Sequence, residues 1–422
     1  MLLAATALLF LLLASGSHVA VALGLVTAGL LLAVTGVPPV IIGQTAFKAV
    51  NSYALVAVPF FVLVGDLMMR GRLTEIIVQL IGSVMRVLRG GLAMTVTLAC
   101  VFFAAVSGSS VASAAAIGSS SVKALQDEGY PPRFAAALVA VGGTLGIMIP
   151  PSLVFIIIGS IIGLPIDRLF LAGILPGLLE AALMLLGTYL LSRTHGYGRR
   201  AETVDWPGFR RQLPLALPAL LMPVLILGGI YGGFFTPTEV SAVAAAYALV
   251  LCVLVYRSIR PREVWGIAKQ TVLTTSMIFA VVMGGSLLGF MLTRMGISRD
   301  LAAFVTEHGV EPWMFLLFVN VLLLVLGMFL DGVSLVVLAA PALFPIAMQL
   351  GIDPIHFAVI MVANVEIGTL TPPVGLNLFV ISGIARLPLE QVVRGVLPFY
   401  ALRLLSLAII TYVPWVSLAL VR

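Results

Sequence analysis

GTLGIMIPP at residues 143–151 and VEIGTLTPP at residues 365–373 superpose at an offset of 222 residues, which lays Gly146 on Gly368 and Pro150 and Pro151 on Pro372 and Pro373. The same offset carries Ala136–Pro176 onto Ala358–Pro398, matching Ser160 to Ser382 and Leu175 and Pro176 to Leu397 and Pro398. One-residue slips add Leu164 and Pro165 on Leu387 and Pro388, and Pro131 on Pro354. Proline supplies only 24 of the 422 residues, so a match carried largely by its positions marks an internal repeat. A glycine followed by paired prolines cannot continue a helix, because proline lacks the N–H, its ring clashes with the preceding turn, and it pushes the residue before it toward extended geometry. Each half therefore contains a helix that breaks.

The surroundings of the breaks are membrane-like. Hydrophobic residues make up 61% of the chain and charged residues 9%, with a mean hydropathy of +1.19, whereas a soluble domain carries about a quarter charged residues. A water-soluble fold is excluded. Stretches such as Leu213–Phe235 and Leu397–Leu420 reach the roughly 20 residues that a helix needs to cross the hydrocarbon core. The ten-residue alternating segments of a membrane barrel are absent from the sequence. The expected class is an all-α polytopic membrane protein, and backbone groups freed at that depth are tolerated only where they line a polar cavity or bind something. The net charge of +6 is spread over loops and forms no dense basic run, so it is no signal for nucleic acid. Cys100 and Cys252 lie far apart in apolar stretches without metal-ligand spacing and read as small hydrophobes. The apolar start, Met1–His18, has no basic residue ahead of it, the first being Lys48, and reads as a retained first helix.

Charge orients the chain. Arg193–Arg211 holds five arginines against Glu202 and Asp205, and Arg257–Lys269 holds four basic residues against Glu263. Two spans separate these loops, so both face one side, and the positive-inside rule makes that side cytoplasmic. Arg70, Arg72, Arg86 and Arg89 fall on the same side by backward count, while Asp300–Glu311, with three acids, falls outside. Both termini are then expected to be periplasmic.

Upstream of each break, an apolar segment is interrupted by small polar residues, Val106–Ser110 in the first half and Leu330–Ser334 in the second. Both read as tips of re-entrant hairpins, the first entering from the cytoplasm and the second from the periplasm, which makes the two repeats inverted. Tips and breaks are expected to meet near the midplane, where helix N-termini present N–H groups to an anion and freed carbonyls hold cations. Leu73–Arg89 and Arg260–Thr275 mix charge with apolar residues and read as interfacial arm helices. The expected units are N-terminal frame helices over 1–72, an arm over 73–89, the first repeat over 90–192, a loop and frame helices over 193–259, a second arm over 260–275, and the second repeat over 276–422.

The chain resembles the large membrane subunit of the tripartite ATP-independent periplasmic (TRAP) transporters, the DctM type. The likeness lies in Val58–Phe61 with Gly65, Phe102–Ser113, Gly143–Pro151, Leu169–Gly177, Gly228–Glu239 (GGIYGGFFTPTE), Gly327–Asp331, Leu350–His356 and Gly368–Phe379. The resemblance implies an elevator-type transporter of the ion-transporter superfamily in the bacterial inner membrane, driven by sodium. It also implies two partners, a small four-helix membrane subunit and a periplasmic substrate-binding protein. Two sodium sites follow from it, one at Ser107, Ser109, Gly146 and Pro150, the other at Asp331, Gly332, Gly368 and Thr371. A small organic acid would lie between the tips, near Ser110, Thr144, Asn364 and Asn377. No cofactor is implied beyond the coupling ions.

Other readings compete. Small residues in membrane helices often only allow close packing. Asp331 and Glu366 are intramembrane acids, functional by default, and could serve an intramembrane enzyme as acid and base. Against that, the 222-residue offset places Thr144 opposite Glu366 and yields no paired carboxylates. A stand-alone anion carrier or a channel of the same architecture is the third possibility. Asp66 and Glu180 are weaker candidates, since Asp66 lies close to Arg70. Thr236–Glu239 reads as a capped helix start. The four histidines show no metal spacing, and no phosphate-binding Gly-x-x-x-x-Gly-Lys loop is present in the sequence.

Overall fold

A computed structural model describes residues 8, 11–12, 15–71, 73–198, 201–297, 300, 305 and 307–421. Most of the expected first helix over 1–18 lies outside these, as do Arg72, Arg199 and Arg200 of the basic loops.

The described chain is helical, with no strand among the described residues. A frame precedes the first repeat: α1 (Val19–Val34), α2 (Pro39–Val50) and α3 (Ala57–Arg70), the last entered through a 3₁₀ turn at Tyr53–Val56. The first repeat comprises α4 (Leu73–Met85), α5 (Gly91–Ser107), α6 (Ser110–Asp127), α7 (Pro132–Met148), α8 (Leu153–Ile162) and α9 (Ile166–His195). Three further frame helices follow, α10 (Trp206–Tyr231), α11 (Pro237–Val250) and α12 (Pro261–Arg294). The second repeat resumes with α13 (Pro312–Gly327), α14 (Gly332–Gln349), α15 (Pro354–Gly368), α16 (Leu376–Ala385) and α17 (Leu389–Tyr412), closed by α18 (Trp415–Leu418).

The order hairpin, broken helix, long helix occurs twice, and both halves stop and restart where the glycines and prolines stand. Between the hairpin α5–α6 and the hairpin α13–α14, among the described residues, lie five segments long and apolar enough to cross a membrane, Pro132–Ile162, Ile166–His195, Trp206–Tyr231, Pro237–Val255 and Pro261–Arg294. An odd number of crossings sets the second hairpin in from the opposite face, so the repeats are inverted.

Packing across the halves obeys the same symmetry. The inner hairpin arm α6 packs on α16 of the other half, and α14 packs on α8. Likewise α17 packs on α7, and α9 on α15. The broken helices form the centre: α7 is buried from Phe134 to Met148 and α15 from Ile355 to Gly368. Helices apolar on all sides belong in a core. Outside this body, α12 packs against α1, α2, α3 and α14, and α11 against α3.

Arg260–Thr275, expected as an interfacial arm, runs into a longer element as the first part of α12, a single helix of 34 residues. Its only proline, Pro261, stands at the first turn where proline is tolerated, the Glu263 carboxylate accepts the Arg260 amide at 2.7 Å, and Gly266 alone does not end it. Within its first third, Thr271 donates to Asp66 of α3 at 3.0 Å, which seats the segment along the frame. The 222-residue offset instead lays α4 on residues 295–307, several of which lie outside the described residues.

Candidate functional site

At the first hairpin tip α5 ends at Ser107 and α6 begins at Ser110, with Gly108 between them in the left-handed region at φ 62°. Glycine is required there twice over, since a Cβ would also fall 2.8 Å from the Pro151 carbonyl oxygen. The tip is pinned to the break by the Leu153 amide donating to the Gly108 carbonyl at 3.3 Å. Ser109 caps α6 through the Ala112 amide. Ser107 Oγ lies 2.7 Å from Ser113 Oγ and donates to the Ser109 carbonyl at 3.3 Å. Gly146, in the last turn of α7, presses on this cluster: a Cβ would sit 2.6 Å from Ser113 Oγ and 2.8 Å from the Ser109 carbonyl oxygen. Ser107, Ser109 and Gly146 are therefore brought together, and Pro150 stands in the adjoining break between α7 and α8. Ser113 belongs to the same cluster and was passed over in the sequence, although four residues after Ser109 on a helix puts it on the same face.

The second junction repeats the plan with other chemistry. Asp331 caps α14, its Oδ2 accepting the Val333 and Ser334 amides at 3.1 and 3.3 Å and its Oδ1 accepting the Ser334 hydroxyl. The Val374 amide donates to the Met328 carbonyl at 3.1 Å, the counterpart of the Leu153–Gly108 bond. Gly368 packs on Gly327, where a Cβ would stand 2.8 Å from the Gly327 Cα. Thr371 Oγ1 donates to the Ile367 carbonyl at 2.7 Å and lies 3.0 Å from the Tyr400 hydroxyl. At Gly332 a Cβ would meet Val365 of its own half at 2.6 Å, and Val154 and Ile147 of the other half at 3.7 and 3.9 Å. The two junctions thus converge.

The four residues expected at the acid are all buried. Ser110 opens α6 at the tip. Thr144, Asn364 and Asn377 are fully buried; each donates to a protein acceptor, while the side-chain carbonyl oxygens of Asn364 and Asn377 have no hydrogen-bond partner among the described residues. Thr144 donates to the Val141 carbonyl at 2.8 Å, Asn364 donates to Asn320 at 2.7 Å and to the Ile360 carbonyl at 2.9 Å, and Asn377 donates to the Ala140 carbonyl of the other half at 3.2 Å.

Between the two broken helices stands a charge cluster that the sequence reading saw only in part. Arg403, on α17, is 3% exposed. Its Nη1 lies 2.6 Å from Glu180 Oε2 and 3.1 Å from Glu366 Oε2, and Nη2 donates to the Thr144 hydroxyl and, at 3.4 Å, to the Val141 carbonyl. The other oxygen of Glu366 accepts the Met148 amide at 3.0 Å. Glu180 and Glu366 are thus both at the centre of the fold, paired to one guanidinium. The signal for Arg403 was present: an arginine inside the apolar stretch Leu397–Leu420 is rare enough to mark a buried partner.

Across residues 6–416 the chain matches the family model of the tripartite ATP-independent periplasmic transporter, DctM component. It is 42% identical over 376 residues to the C4-dicarboxylate TRAP transporter large permease protein DctM of Pseudomonas aeruginosa, an alignment covering 89% of this chain and 87% of that one. It is 37% identical over 399 residues to the isethionate TRAP transporter permease protein DctMQ of Oleidesulfovibrio alaskensis, covering 94% of this chain and 63% of that longer one. Among solved structures, the Alcanivorax borkumensis YdaH transporter superposes with a TM-score of 0.63 over 92% of this chain and 90% of that chain at 17% identity, a likeness of fold.

Proposed function

The chain belongs to the DctM family of tripartite ATP-independent periplasmic transporters as a large permease subunit, and from that membership we propose sodium-driven uptake of a small organic acid by an elevator movement. It is a transport protein, not an enzyme. One cation binds at each junction, held by Ser107, Ser109, Gly146 and Pro150 in the first and by Asp331, Gly332, Gly368 and Thr371 in the second. The observation that carries this reading is the doubled junction, with a tip bonded to a proline break at Leu153–Gly108 and again at Val374–Met328. Sodium is a hard cation that takes several oxygens, and hydroxyls with freed carbonyls supply them with little added charge.

The cargo is a small organic anion. One relative's name carries a C4-dicarboxylate and another's isethionate, a sulfonate, and what these share is an acid group that a helix N-terminus can receive. The N-termini of α6 and α14 open at the two tips, with Ser110 beside the first. Thr144, Asn364 and Asn377 are the further residues of the proposed acid site. A small four-helix membrane subunit and a periplasmic binding protein complete the machine, and the greater length of the DctMQ relative is in keeping with such a subunit joined to the permease. The protein sits in the bacterial inner membrane with both termini periplasmic. Two sodium ions with a monocarboxylate carry one net positive charge inward, worth about 2.3 kcal/mol per 100 mV.

The test is uptake into proteoliposomes containing the permease, the small subunit and the loaded binding protein. Accumulation is expected with an inward sodium gradient and not with potassium in its place. Undiminished uptake without sodium on either side would remove the coupling from this reading.

A further inference from the structure

The last turns of the two broken helices are tied together by groups that belong to neither candidate ion site. Glu366 stands two residues before Gly368, and its carboxylate accepts the amide of Met148, two residues after Gly146. Arg403 grips the same carboxylate at 3.1 Å and, with its other nitrogen, donates to Thr144, two residues before Gly146. Thr144 and Met148 bracket the glycine that presses on the first tip, so the turn bearing Gly146 is held from the second half. The internal repeat places Glu366 opposite Thr144, and Glu180 opposite Leu402, the neighbour of Arg403. The cluster therefore lies where the halves meet. All three charges are buried, at 2% exposure for Glu180, 0% for Glu366 and 3% for Arg403. A buried charge that loses its partner is costly, so neither last turn can shift alone without uncoupling a carboxylate from the guanidinium or the Met148 amide.

We propose that Glu366 and Arg403 are positioning residues that make the two ion sites cooperative: a cation seated at one junction fixes the last turn of its broken helix, and the shared carboxylate and guanidinium set the last turn of the other. The proposal rests on the two-site reading above. Coupling of this kind is reciprocal, each ion raising the affinity for the other by the same factor.

The test is a binding isotherm of radioactive sodium on the purified full chain in nanodiscs, without substrate, at constant ionic strength with choline as the replacing cation. The wild-type chain is expected to bind with a Hill coefficient of about 1.5, the value that a coupling on the order of 10-fold gives two sites, whose number is the upper limit. Glu366→Gln keeps an acceptor for the Met148 amide and removes the charge that holds Arg403, and should still bind sodium with a Hill coefficient near about 1. Its half-saturating concentration for the second ion should rise on the order of 10-fold, within the roughly 5–150-fold span of such couplings. Thr144→Val removes only the hydroxyl under the guanidinium, folds without any unpaired charge, and should lower the coefficient by a smaller step, which decides the matter if Glu366→Gln is not monodisperse. A merely structural role would lower thermal stability and leave the coefficient alone. Folded variants that retain the wild-type coefficient overturn the proposal while the two-site reading stands, and so does a wild-type chain that binds two ions independently. A wild-type chain that binds no sodium removes the two-site reading itself.

Discussion

Arg403 shows what a single residue can be asked to do inside a membrane protein. A guanidinium buried to 3% exposure is tolerated because two carboxylates, a hydroxyl and a carbonyl surround it, and its planar fork can address them at once where a lysine could not. Arg403→Met should destabilise the fold by about 3–5 kcal/mol, because it leaves two buried carboxylates without a counter-charge. Thermal unfolding in detergent measures this, and Arg403→Met melting with the wild-type chain would show that the pair contributes nothing. Arg403→Lys should lose less. At this scale the sequence was legible in composition and not in partnership: Glu180 and Glu366 were visible as acids in apolar surroundings, but that both turn to the same arginine depends on how α9, α15 and α17 cross.

Elements begin and end where local chemistry tells them to. The capping box at Thr236–Glu239 is formed, with the Thr236 amide donating to Glu239 at 2.8 Å and the Glu239 amide to Thr236 Oγ1 at 3.3 Å, and Thr236→Ala should cost about 1 kcal/mol of stability. A normal unfolding midpoint in that variant would assign the helix start to packing instead. At the breaks, Gly146→Leu and Gly368→Leu should insert in the membrane at normal levels yet fail to transport, since the new side chain would drive into Ser113 and the Ser109 carbonyl in one case and into Gly327 in the other. Uptake by both variants at the wild-type rate would place the ion sites elsewhere. The breaks, tips and cap were readable because glycine, proline and capping residues act over three or four positions. Over 260–275 the local pattern suits an interfacial helix and a helix packed on a frame equally well, and the contact that seats it, the Thr271–Asp66 bond between residues 205 positions apart, is invisible to local pattern.

On the scale of the whole molecule, α1–α3 and α10–α12 pack beside a body built of the two crossed repeats. Glycines mark their contact at two places. Gly65 of α3 lies on Ser107, where a Cβ would meet the Ser107 carbonyl oxygen at 3.5 Å, and Gly289 of α12 lies on Pro341 of α14, with a Cβ 3.1 Å from the Pro341 Cβ. Cysteines at both positions, Gly289→Cys with Pro341→Cys, need only a few tenths of an ångström to reach the ~3.5–4.5 Å Cβ separation of a disulfide. Oxidation of that pair should arrest uptake in proteoliposomes and reduction should restore it. Uptake that continues through a complete cross-link would show that the body does not move along α12.

The sequence by itself determined that this chain is a membrane-embedded helical protein, that it is built twice over in opposite senses, and where each half interrupts its helices. Those are consequences of composition and of backbone chemistry at single positions, and they hold whatever the neighbours are. Only the tertiary structure decided which polar groups meet: that Asn377 donates to the Ala140 carbonyl of the other half, that Ser113 joins the first tip, and that Arg403 bridges the halves. The reason is physical. A buried polar group must find a partner, but the rule does not say which, and the choice among distant candidates is made by how helices far apart in the chain pack against one another.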